Sequence, residues 1–178
     1  MKIRAEGAAC GCLVATSAVD WATCLSGDKV VYDTDNNVLV GKQLDAGTYN
    51  CWQSFLRFDG SGIPASHEIV SATLRLYIYA DNSDADFDVV AKIISTYDTL
   101  DATDWKTSPG PPPAAQFTAS TEDIATDTDG YSYLDLELSA TALASISTTT
   151  TFDMIVMHNT QSDEPTAVSY THLRAHET

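Results

Sequence analysis

The chain has 178 residues and a formal net charge of −16, from 25 Asp+Glu against 9 Lys+Arg, with 44% apolar residues. That length suits one domain able to bury roughly two-thirds of its unfolded surface, and the apolar share argues against intrinsic disorder. The acidic excess repels a phosphate backbone, which argues against nucleic acid as a partner, and no apolar run reaches the ~18–20 residues of a membrane helix.

Taken in chain order, Met1–Arg4 precedes an Ala/Cys/Leu/Val stretch with the outline of a signal peptide. Glu6 and Gly7 interrupt it, and Trp21 follows without a good small-residue cleavage site, so the stretch reads as a first pair of strands with no convincing export signal. Val30–Tyr32, Val38–Val40 and Ser54–Phe58 are further strands. In Thr73–Tyr79, Leu74, Leu76 and Ile78 share one face, with Arg75, Tyr77 and Tyr79 on the other. Phe87, Val89, Ala91 and Ile93 form another inward row. Leu134, Leu136 and Leu138 alternate with Tyr133, Asp135 and Glu137. Phe152, Met154 and Val156 alternate with Ile155 and Met157. Turn-forming runs at Asp33–Asn37, Asp59–Gly62, Asp81–Asp84 and Asp127–Gly130 separate these strands. Ser108–Pro113 is a stiff loop, because proline lacks the ladder donor. Ser139–Ser147 is the one short helix. The pattern predicts an all-β fold: an antiparallel β-sandwich in a single domain.

The last eleven residues, Val168–Thr178, read VSYTHLRAHET. They resemble, residue for residue, one reading frame of the transposase-type adapter used in short-read sequencing libraries. The expectation is a translated artefact, set aside like a fusion scar. The domain then spans 1–167 with its C-terminal strand truncated, and 168–178 is a disordered tail. Arg174 and Glu177 cancel, so the charge stands, while His172 and His176 drop out of any site.

Only His67 and His158 then remain to serve a nucleophile, and nothing resembles a nucleophile elbow. With 25 acids, carboxylate pairs at glycosidase spacing are uninformative. Asp84, Asp86 and Asp88 place three carboxylates on one face of an extended segment, a candidate for Ca²⁺, which takes six to eight oxygens. Asp33, Asp35, Asn36 and Asn37 form a comparable loop, as do Asp127 and Asp129. The alternative is a set of polar turn residues that keep edges soluble. Cys10, Cys12, Cys24 and Cys51 lack zinc spacing; they read by default as buried reduced thiols, with a bond from Cys10 or Cys12 to Cys24 or Cys51 left open. Tyr77, Tyr79, Tyr131 and Tyr133 lie opposite the leucine rows. If their strands are neighbours, they form an exposed aromatic strip on which sugar faces can stack, with Arg75 or Asp135 bonding hydroxyls. The competing reading has them covering a second packed layer or an oligomer interface. Trp52 and Trp105 read as core or corner anchors.

The segment Gln53–Tyr79 resembles the DNRLRE-type modules. Leu56, Arg57, Phe58 and Asp59 end one strand; Ile63 and Pro64 form a turn; Ile69, Ser71, Ala72, Leu74, Leu76 and Tyr77 follow. The literal DNRLRE string is absent. A looser likeness to uncharacterised proteins of tailed phages runs from Ile3–Ala5 to Phe152–Met157; such relatives usually end in a Pro-x-Leu-x-Val-x-Tyr strand, which is absent here. The resemblance implies a jelly-roll-like β-sandwich that binds or builds rather than catalyses, and some of the group are similar to modules for acidic polysaccharides. The expected function is a non-catalytic surface module of a phage virion, tail- or fibre-associated, contacting glycans or other virion proteins and forming a homo-oligomer. The alternative is a bacterial extracellular carbohydrate-binding module of an adhesin or polysaccharide-degrading enzyme. Either places the protein on a virion, outside the cell or at its surface.

Overall fold

The computed structural model describes residues 10–32, 37–81, 87–94, 98–106, 122–124, 132–166 and 169–175. Its strands are β1 (Gly11–Ser17), β2 (Lys29–Tyr32), β3 (Asn37–Asp45), β4 (Thr48–Asp59), β5 (Thr73–Asp81), β6 (Phe87–Ile94), β7 (Glu122–Ile124), β8 (Ser132–Glu137), β9 (Thr151–His158) and β10 (Ser169–Ala175). Every pairing is antiparallel. Ladder bonding runs β7-β6-β9-β4-β3-β10-β5-β8, with β1 added to β4 and β2 to β1.

This path folds into two facing layers. Val40, Leu74, Leu76, Ile78, Leu134 and Leu136 from β3, β5 and β8 pack against Leu56, Phe58, Phe87, Val89, Ala91, Phe152, Met154 and Val156 from β4, β6 and β9. The leucine rows predicted from alternation are therefore the inter-sheet core, and the all-β sandwich is what the chain forms. β3 carries the chain between layers. Its second half pairs with β4 up to Gly41↔Trp52, while Asn37–Lys42 pairs with β10, and from Ser54 onward β4 pairs with β9. The handover falls at Gly41, whose φ of 141° suits glycine alone. Strands that bend between sheets make the corners of such sandwiches.

The β4–β9 layer is buried on both faces. Its reverse side holds Leu13, Ala15, Cys51, Phe55, Val90, Ile155 and Met157, roofed by Trp21, Cys24, Leu100 and Trp105. Trp21 and Cys24 belong to α1 (Trp21–Ser26), a helix that the single predicted helix leaves out. Asp20 caps it, accepting from the Thr23 amide at 2.7 Å. At six residues it is too short for a 3.6-residue period to register in sequence. The expected helix is present as α2 (Ala140–Ala144), capped by Ser139. Among the described residues two short helices, not one, thus accompany the strands, with a 3₁₀ turn at Ala102–Asp104 under an Asp101 capping box.

Ser169–Ala175, expected to be a disordered tail, forms β10, paired with β3 on one edge and β5 on the other. Ladder bonds use backbone groups, so a short segment satisfies two open edges whatever its side chains.

Buried polar groups tie neighbouring elements together. Arg57 lies opposite the fully buried Asp153 and donates to both its oxygens, at 2.8 and 2.9 Å. The buried Gln53 amide pairs in both directions with the Lys106 backbone, fixing the 98–106 roof to β4. Lys42 is buried and donates to the Thr160 carbonyl, the Thr160 hydroxyl and the Asp163 carbonyl. Its ammonium thus holds the turn after β9 as a tethered cation would.

Candidate binding face

The site begins with the pairing of β5 and β8. Their register sets Leu74 opposite Leu136 and Leu76 opposite Leu134 on the core side. Period two then places Arg75↔Asp135 and Tyr77↔Tyr133 on the outer side. The strands that the tyrosine strip requires as neighbours are neighbours.

Tyr133 is 49% exposed, and Tyr77 is half-buried beside it. Their ring centroids lie 5.4 Å apart at an interplanar angle of 54°, within the range of favourable aromatic pairs. The Arg75 guanidinium carbon lies 5.4 Å from the Tyr133 ring centroid. Arg75 also donates from Nε and Nη2 to the two Asp135 oxygens, at 2.6 and 2.5 Å. This ion pair is surface-borne, with side chains 56% and 42% exposed. The bond to Arg75 lowers the Asp135 carboxyl from its ordinary value, and the same bond raises the guanidinium. Both groups stay charged at neutral pH.

Arg75, Tyr77 and Tyr133 are therefore brought together by the structure. Tyr79 belongs to β5 but its side chain is outside the described part, and Tyr131 lies outside the described residues. Of the proposed calcium ligands, Asp84 and Asp86 also lie outside the described residues. Asp88 is on β6, where its Oδ2 accepts from the Asn159 side-chain amide at 2.9 Å and its carbonyl from the Asn159 backbone. It ties β6 to the turn after β9. Among the described residues no group of three metal-ligating side chains comes together.

His158 and the four cysteines are buried, away from this exposed face. His158 is buried, stacked on Phe87 with centroids 5.0 Å apart, and its Nδ1 accepts from the Thr160 amide. Burial, then the Lys42 charge, pushes its pKa down to about 3, so the ring is neutral. His67 is exposed in a turn beside Ser66. All four cysteines are buried and unbridged. Burial raises Cys12 to about 12 and Cys24 to about 11, and Cys51 goes up well above the usual thiol range. All three are protonated, so none is a thiolate nucleophile.

One feature escaped the sequence: a cleft of about 350 Å³ lined by Leu25, Gly27, Asp28, Lys29 and Trp105, among others. Lys29 donates to the Cys24 and Gly27 carbonyls and lies 4.9 Å from the centroid of the Trp105 ring. The cleft's cation is thus already engaged by the protein. No sequence signal links Lys29 to a tryptophan 76 positions away (105 − 29). No protein-family model matches the chain, and a search of curated proteins gives no match.

Proposed function

We propose that the protein is a non-catalytic surface module that binds glycans on the outer face of β5 and β8. The observation that carries the reading is the outward-facing Tyr77–Tyr133 pair, half-buried at Tyr77 and exposed at Tyr133, beside the Arg75–Asp135 ion pair. Tyrosine rings offer apolar faces to sugar C–H groups, while the guanidinium and carboxylate offer donors and acceptors to hydroxyls. The tilt between the rings makes the face stepped rather than flat. It suits a single soluble chain better than a crystalline polysaccharide surface. The looser likeness to uncharacterised proteins of tailed phages, from Ile3–Ala5 to Phe152–Met157, supports display on a virion, as a tail- or fibre-associated component. The acidic net charge and the protonated thiols agree with a binding role.

The test is a glycan array probed with the parent protein and with Tyr133→Ala. The parent should bind a set of glycans, and the variant should lose them while melting at the parent's temperature. Parent protein that binds no glycan, or a folded variant that binds equally well, overturns the proposal.

A further inference from the structure

We infer that Asp135 makes this tyrosine face select uncharged glycan chains and reject acidic ones; the inference rests on the glycan-binding reading above. Recognition of a sugar carboxylate or sulfate calls for an arginine fork that is open to it. Here the fork is filled. Arg75 is the cation opposite Asp135 in the ladder, and its Nε and Nη2 already engage both carboxylate oxygens in a bidentate pair. An acidic group taking the Nε–Nη2 edge would have to displace Asp135, and one taking the remaining Nη1 protons would sit beside the Asp135 charge.

The surroundings work in the same direction. The outward residues of the register are Thr73, Arg75 and Tyr77 on β5, and Tyr133, Asp135 and Glu137 on β8. On these two strands one positive charge faces two negative ones, and Arg174 of β10 stands in register opposite Tyr77, on a chain of net charge −16. The net charge of the whole chain is repulsive to polyanions. A neutral chain meets no such opposition. The carboxylate keeps acceptor sites beyond the two that Arg75 fills, and the guanidinium keeps its Nη1 protons. The pair can therefore serve hydroxyls without breaking. Both side chains are about half exposed, so the ion pair lies on the surface a ligand meets.

The experiment is affinity electrophoresis of the intact protein in native gels containing either a neutral polysaccharide panel (galactomannan, xyloglucan, mixed-linkage glucan) or an acidic one (polygalacturonate, alginate). Asp135→Asn and Tyr133→Ala run beside the parent. The inference predicts that the parent is retarded by a neutral polymer and not by the acidic ones. It predicts that Asp135→Asn, with Arg75 released, gains retardation in an acidic gel, and that salt removes this gain. Parent protein retarded by polygalacturonate or alginate, with retardation lost in Tyr133→Ala, keeps the glycan-binding face and overturns the inference. Asp135→Asn that gains nothing in acidic gels also overturns it. Parent protein retarded by neither panel removes the glycan reading itself, and the inference with it. The parent's choice between the two panels needs no variant to fold.

Discussion

Arg57 and Asp153 show how differently two Arg–Asp pairs behave in one protein. Each is a cross-strand bidentate pair, but Asp153 is fully buried while Asp135 is not. Removing one partner of a buried pair leaves an uncompensated charge, at a cost of about 3–5 kcal/mol. Asp153→Ala should therefore lower stability by about that amount in urea unfolding, whereas Asp135→Asn should leave the midpoint close to the parent's. Equal midpoints for Asp153→Ala and the parent would show that the pair is not what holds β4 to β9. His158 gives a prediction in pH. Its folded pKa of about 3 lies below the ordinary imidazole value of 6.5, so the folded state resists the proton that the unfolded chain accepts. Its contribution is complete above about 6.5 and is lost as pH falls toward about 3, with a slope of up to about 1.4 kcal/mol per pH unit. Asp20, Asp59, Asp101 and Asp135 are also shifted down, but they respond only near and below the ordinary carboxylate range. Unfolding free energy should thus fall measurably between about pH 7 and about pH 5. His158→Gln should flatten that fall; a parent protein equally stable at both values contradicts the assignment.

Strands were legible because alternation is a direct record of burial on one face. Leu74, Leu76, Leu134, Leu136, Phe87, Val89, Phe152 and Met154 all enter the inter-sheet core as their spacing requires. The outward pairing of Tyr77 with Tyr133 was legible only as a condition, because period two states which face a residue occupies and not which strand lies beside it. α1 was illegible at six residues, and its buried Trp21 and Cys24 look like any two apolar positions three apart. The roof at 98–106 was equally hidden, since Gln53 reaches it by a side chain bonding to backbone 53 positions away. One element boundary does carry a sharp sequence mark. Asp59–Gly62 reads as a turn, and the structure gives Gly60 a second duty. A Cβ at this position would stand 1.8 Å from the Ser147 carbonyl and 2.9 Å from that of Thr150, both backbone atoms. The end of β4 thus packs directly on the segment that enters β9. Gly60→Ala should cost about 1–3 kcal/mol through forced backbone movement, read as a lowered thermal midpoint. An unchanged midpoint would mean that this contact is loose.

At the scale of the whole molecule, the two layers are joined through β3 and β10. β10 is the strand that the sequence reading discards, because VSYTHLRAHET looks foreign to the domain. The structure seats Ser169–Ala175 between β3 and β5, so its removal leaves both strands with an open edge. Deleting residues 168–178 should lower the melting temperature and promote association through those edges. A deletion variant that melts with the parent and stays monodisperse would return the segment to the status of a tail. The face that β5 and β8 present can be mapped by one measurement. Amide chemical shifts would be followed while a neutral soluble oligosaccharide is titrated into the isotopically labelled protein. Saturable shifts confined to Arg75, Tyr77, Tyr133, Asp135 and their strand neighbours are expected. Shifts centred instead on Leu25–Lys29 and Trp105, or no shifts from any neutral oligosaccharide, would contradict glycan binding at this face.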